Sequence, residues 1–153
     1  MLKKVKRSDN KGFTLVELIV VLVILAILAA ILVPALLGYI DRARNQQIVL
    51  NARSCYTASQ AEMSSMYGKN EAIANIANNT HTSSILNTAD VPKCTALVVG
   101  VIDSDNTKTE HEDYTVAYVA YTENGQTVYF DGSSWVETDP ESSISNLKQF
   151  TIK

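Results

Sequence analysis

From Leu18 to Leu37 the chain runs for twenty residues without one charged or polar side chain. As a helix this run is about 30 Å long, roughly the thickness of a bilayer's hydrocarbon core. Few folds tolerate such a segment, because a helix that is apolar all round needs a non-aqueous surround. Five bases precede it (Lys3, Lys4, Lys6, Arg7 and Lys11), opposed by Asp9 alone. That asymmetry places residues 1–12 on the cytoplasmic side and directs the remainder outward. One acid, Glu17, stands at the entrance of the run. A carboxylate close to hydrocarbon costs about 2.5–3.5 kcal/mol on insertion scales, so it calls for a functional partner.

Two ordinary explanations fit less well. A secretory signal has an apolar core of about 7–15 residues and then a small-residue cleavage site. Here the run is longer, and Pro34-Ala35-Leu36-Leu37-Gly38-Tyr39 leads into a polar helical pattern. A plain single-pass anchor explains the run and the lysines but leaves Glu17 without a purpose.

Gly12-Phe13-Thr14-Leu15-Val16-Glu17, behind a short basic leader, resembles the prepilin signal of type IV pilins and pseudopilins. The resemblance is specific over about Lys11 to Arg44 and architectural beyond it. It implies that a membrane peptidase cuts after Gly12 and methylates the new amine of Phe13. It implies that Glu17 neutralises the Phe13 amine of a neighbouring subunit in a filament. A buried carboxylate needs a buried cation, and the cut creates one. It also implies that the turns before Pro34, weakened further by Gly38, unwind as the subunit packs. An interior proline removes a backbone hydrogen bond at about 3 kcal/mol.

The net charge of −3 conceals a division. The leader carries five bases and one acid, and the remaining 141 residues carry eight bases and fifteen acids. An acidic mature chain argues against phosphate binding as its main purpose.

Beyond Asp41 the pattern becomes amphipathic. Val49, Ala52, Tyr56, Ser59, Met63 and Met66 form one helical stripe, and Arg44, Gln47, Asn51, Ser54, Ala58, Glu62 and Ser65 form the opposite one. The spacing predicts a helix over 13–67, stopped near Gly68. Residues 68–93 read as a solvated connector, with a turn or two of helix at 71–77. Strands are expected at 95–102, 114–121, 127–131 and 135–137. The second and third are joined by Asn124-Gly125, a strong hairpin signal. Alternation in the second strand separates Thr115, Ala117, Val119 and Tyr121 from Tyr114, Val116, Tyr118 and Ala120, without saying which set meets the helix. The polar tail, 138–153, supports no assignment. The expected organisation is a leader (1–12), an apolar half-helix (13–40), an amphipathic half-helix (41–67), a connecting loop (68–93) and a sheet with its tail (94–153). This is an α+β fold: a long N-terminal helix packed on a three- or four-stranded antiparallel sheet.

Catalytic chemistry is sparse. His81 and His111 fall in different loops without metal-ligand spacing. Ser133-Ser134 reads as a turn. Residues 103–113 hold an acidic loop that superficially resembles a calcium loop, but Lys108 stands at its glycine position and Tyr114 at its terminal acid. No enzyme, cofactor or metal site is expected. Cys55 and Cys94 are either a disulfide or two buried thiols. A closed loop of about 40 residues would stabilise by about 4 kcal/mol in the chain-entropy picture.

The resemblance implies a structural subunit, inserted in the cytoplasmic membrane and then polymerised on the cell surface through its N-terminal helices. A prepilin peptidase, an assembly platform protein and an ATPase are the partners it implies. The expected role is a major pilin for adhesion, motility or surface attachment. The alternatives are a minor pilin or a pseudopilin of secretion or DNA uptake and, more remotely, a membrane-tethered binding or sensor domain.

Overall fold

The computed structural model describes residues 12–102 and 114–153. The basic leader and the acidic loop 103–113, with His111, lie outside the described residues. The chain divides into two units, 1–43 and 44–153.

Helix α1 spans Leu15–Gly68, close to the expected bounds. In the first unit every large apolar side chain from Leu15 to Leu37 is at least 50 % exposed. It is the one helix among the described residues long and apolar enough to cross a membrane. Its backbone groups bond within the helix, save the Ala30 carbonyl that faces Pro34, as a spanning segment requires.

The second unit has its own core. From α1 it takes Ile48, Ala52, Cys55, Ala58, Ser59, Met63 and Met66. The predicted stripe holds at Ala52, Ser59, Met63 and Met66, whereas Val49 and Tyr56 are only half-buried. The opposite stripe is not uniformly solvated: Ala58 is buried and Glu62 is half-buried. A second helix explains this. Residues 68–93 are more ordered than a loop, holding a 3₁₀ turn at Ile73–Ala77 and helix α2 at Asn79–Ala89. Ser84 of α2 donates to Glu62 at 2.7 Å, fixing α2 against this flank of α1. Ile73, Ile76, Ile85 and Ala89 join the core.

The end of α1 is a Schellman motif. Glu71 N–H donates to the Met66 carbonyl at 2.9 Å and Asn70 N–H to the Tyr67 carbonyl at 3.0 Å. The left-handed residue the motif needs is Asn70, with φ 53°, rather than Gly68.

Five antiparallel strands follow, in the order β4-β3-β2-β1-β5. They are β1 (Cys94–Ile102), β2 (Val116–Glu123), β3 (Gln126–Phe130), β4 (Trp135–Val136) and β5 (Leu147–Thr151). The Asn124-Gly125 turn has both residues at positive φ, as a tight hairpin of this hand demands. The expectation of three or four strands fell short by β5. The tail returns to pair with β1, Val99 opposite Phe150. Phe150 and Ile152 are buried, and these two apolar residues anchor the strand.

A bulge decides which face of β2 meets the helix. Gly100 pairs with Tyr118 and Val101 with Val116, leaving Ala117 without a partner. The alternation therefore changes phase at that point. Val116, Val119 and Tyr121 share the core, although strict alternation separates Val116 from the other two. Tyr118 lies outside that core, and its hydroxyl donates to Asp139 at 3.1 Å.

Gly100 has a steric role on this outer side. A Cβ there would stand 2.7 Å from Leu147 Cδ1 and 3.0 Å from Tyr118 Cβ. Gly100→Ala should therefore lose about 1–3 kcal/mol of stability, the usual cost of overpacking. Chemical denaturation of the full chain in detergent measures this, and an unchanged midpoint would remove the steric role.

Candidate functional site

The N-terminal turn of α1 carries the residues that the sequence singles out. Gly12, Phe13 and Thr14 precede the first helical residue, Leu15. Gly12 has nothing within 4 Å of where a Cβ would sit, and Phe13 is 86 % exposed. The Gly12–Phe13 peptide thus lies outside the helical hydrogen-bond ladder.

Glu17 closes the first turn on Thr14. Thr14 N–H donates to Glu17 Oε2 at 2.9 Å, and the Thr14 hydroxyl donates to the same oxygen at 2.7 Å. Glu17 N–H approaches Thr14 Oγ1 at 3.3 Å. This is a reciprocal capping box, with Thr14 at the cap and Glu17 three residues later. The negative group also sits at the positive end of the helix dipole. The sequence carries the signal for it, Thr-x-x-Glu, beside the role that the family resemblance implies for Glu17 at a neighbour's amine. In the intact chain Phe13 carries an amide, not an amine, and the carboxylate is bonded within its own turn.

Pro34 and Gly38 lie inside α1, which is helical on both sides of them. Pro34 has no N–H to offer the carbonyl of Ala30.

Cys55 and Cys94 are both buried, and both are free thiols in the structure. They belong to one core beside a buried acid, Glu123. Glu123 stands opposite Cys94 in the β1–β2 register. Its Oε2 accepts from Asn51 Nδ2 and from the Tyr121 hydroxyl, each at 2.7 Å. Asn51 is one helical turn before Cys55. Burial, then the neighbouring Cys94 and Glu123, push the Cys55 thiol up to about 12. Burial likewise raises Cys94.

His81 does not lie in a loop, as the sequence reading had it. It sits on α2 and meets two carboxylates, Glu62 and Glu71. No cluster of three metal-ligating side chains occurs among the described residues. Ser133 and Ser134 are turn residues, their N–H groups and hydroxyls bonded to the Asp131 carboxylate. An open groove of about 310 Å³ is lined by Ile48, Val49, Val128 and Trp135, with Asn45 and Glu137 at its polar margin.

Comparison with protein families matches residues 7–33 to the prokaryotic N-terminal methylation motif. This is the prepilin signal of type IV pilins and pseudopilins. The long apolar helix and the antiparallel sheet accord with the type IV pilin fold. No curated protein and no solved structure matches the chain.

The cysteines give a reactivity prediction. Raised thiols without solvent contact react slowly, because the thiolate is the nucleophile. In the folded chain near neutral pH both should resist alkylation, and unfolding without reductant should let each take up one reagent molecule. Mass spectrometry reads the uptake. A mass lower by two hydrogens, with no uptake on unfolding, would instead report a Cys55–Cys94 disulfide.

Proposed function

We propose that this chain is the structural subunit of a type IV pilus-like filament, and specifically a major pilin serving adhesion, motility or surface attachment. One observation carries the reading. A prepilin signal opens a helix whose first half exposes all its large apolar side chains, while residues 44–153 keep a separate core. Such a chain can leave a bilayer only if another apolar surround replaces the lipid, and a bundle of the same helices provides one. The head needs nothing from that helix half for its own core.

In this reading a prepilin peptidase cuts between Gly12 and Phe13 and methylates the Phe13 amine. The precursor is a single-pass protein of the cytoplasmic membrane, and the mature subunit joins a surface fibre. An assembly platform protein and a cytoplasmic ATPase supply the extraction work. The Glu17 carboxylate then exchanges its hold on the Thr14 N–H and hydroxyl for the Phe13 amine of an adjoining subunit. The missing hydrogen bond at Pro34, with Gly38 one turn later, is where α1 would yield as helices pack. The role is structural rather than enzymatic.

Glu17→Ala separates processing from assembly. The variant should still be cut after Gly12, because the scissile peptide is untouched. Fibre yield should collapse, since a neighbour's amine left buried and unpaired costs about 3–5 kcal/mol per contact. The check is N-terminal mass analysis of membranes together with the yield of sheared fibres. Normal fibres from the variant would remove Glu17 from assembly. Wild-type chain that is cut but confined to the membrane fraction would point to a minor pilin or pseudopilin instead.

A further inference from the structure

In the segment between α1 and β1 one histidine meets acids at both of its ring nitrogens. His81, on α2, is 7 % exposed. Its Nδ1 lies 2.7 Å from Glu62 Oε1, on α1. Its Nε2 lies 2.9 Å from Glu71 Oε1, just beyond the end of α1. A carboxylate oxygen only accepts hydrogen bonds, so both contacts are bonds only when both ring nitrogens carry protons. The geometry therefore selects the imidazolium. Glu62 is committed on its other oxygen to Ser84, which donates at 2.7 Å. Glu71 accepts also from Asn75 Nδ2 at 3.4 Å, and its backbone carbonyl accepts from the Tyr114 hydroxyl at 2.7 Å.

We propose that Glu62, His81 and Glu71 form a pH-sensitive clasp that holds residues 71–89 against α1 while the imidazole is charged and loosens them when it loses its second proton. Neutral imidazole keeps one N–H. One of the two carboxylates then faces a ring lone pair at under 3 Å, and attraction becomes repulsion. What loosens is a local unit of the 3₁₀ turn and α2, not the sheet, because no strand depends on these bonds. The inference is independent of the filament reading.

The charged groups around the ring, among the described residues, are few. From α1 there is Glu62; from the segment after it, Lys69 and Glu71. From just before β2 there is Tyr114, whose hydroxyl reaches the Glu71 carbonyl. The bond to Glu62 raises His81 above its usual range, burial opposes that rise, and the bond to Glu71 adds to it. For Glu62 burial acts upward but is outweighed by the bonds from His81 and Ser84, with Lys69 adding to them, so the carboxyl is lowered. Glu71 is lowered chiefly by its bond from His81.

The sign follows. A raised histidine contributes stability that is full below its unfolded value of about 6.5 and is lost as pH rises through the folded value. The lowered glutamates contribute stability present above about 4.3 and lost as pH falls through their folded values. The clasp is therefore firmest in mild acid and opens on the alkaline side.

The test is hydrogen exchange of the full chain in detergent micelles at about pH 6 and about pH 9, corrected for intrinsic exchange, beside an NMR titration of His81. Amides of 79–89 should lose protection across that interval, while those of β1 and β2 do not. His81→Gln should abolish the difference, and Glu71→Gln should lower the His81 midpoint and shrink it. A wild-type segment equally protected at both pH values would overturn the clasp. So would an ordinary or lowered His81 midpoint, or a loss of protection that is undiminished in either variant that folds. Should His81→Gln fail to fold, the half-exposed Glu71→Gln decides alone.

Discussion

Everything in this chain answers to one constraint: a helix of more than five turns that water cannot solvate on any side. From Leu18 to Leu37 no face is polar, so no amphipathic docking is available and the surround must be lipid or other helices. The rest of the molecule is built so as not to depend on that surround. The core begins at Ile48, and its other members come from the same unit, residues 44–153. A head that borrowed apolar contacts from residues 15–40 would lose them whenever that helix changed its environment.

How far the sequence discloses this depends on the range of the interaction involved. The apolar run, the Asn124-Gly125 hairpin and the helix bounds are local signals, and they read correctly. What it hides depends on pairing across distance. The phase change in β2 comes from Ala117 having no partner opposite Gly100 and Val101, and no pattern within β2 announces that. β5 escapes notice because Leu147, Phe150 and Ile152 become a strand only by pairing with β1. Helix α2, with its run of Asn, Thr and Ser, has weak intrinsic propensity and little amphipathic contrast. It is stable where it stands because Ile85 and Ala89 enter the core and because Ser84 and His81 find Glu62. The same tertiary contacts turn Ala58 and Glu62 from a supposed solvent face into a second interface.

The candidate site was legible to a different degree. Glu17 stands out as the acid at the entrance of the apolar run, and Gly12 and Phe13 through the resemblance to the prepilin signal. The reciprocal bonding of Thr14 and Glu17 is a local signal as well, Thr-x-x-Glu ahead of an apolar run. His81 was unreadable, since its two acids lie nineteen and ten residues upstream and meet it only after the chain folds back. The cysteines show a third case. Their burial follows from the fold, while their separation in sequence says nothing about it.

The capping box has a consequence for maturation. Both of its members, Thr14 and Glu17, lie on the same side of the Gly12–Phe13 peptide. A cut between Gly12 and Phe13 would therefore break none of the three hydrogen bonds that join Thr14 and Glu17. What such a cut would add is charge: an amine would appear beside a helix end that already holds its counter-charge in place.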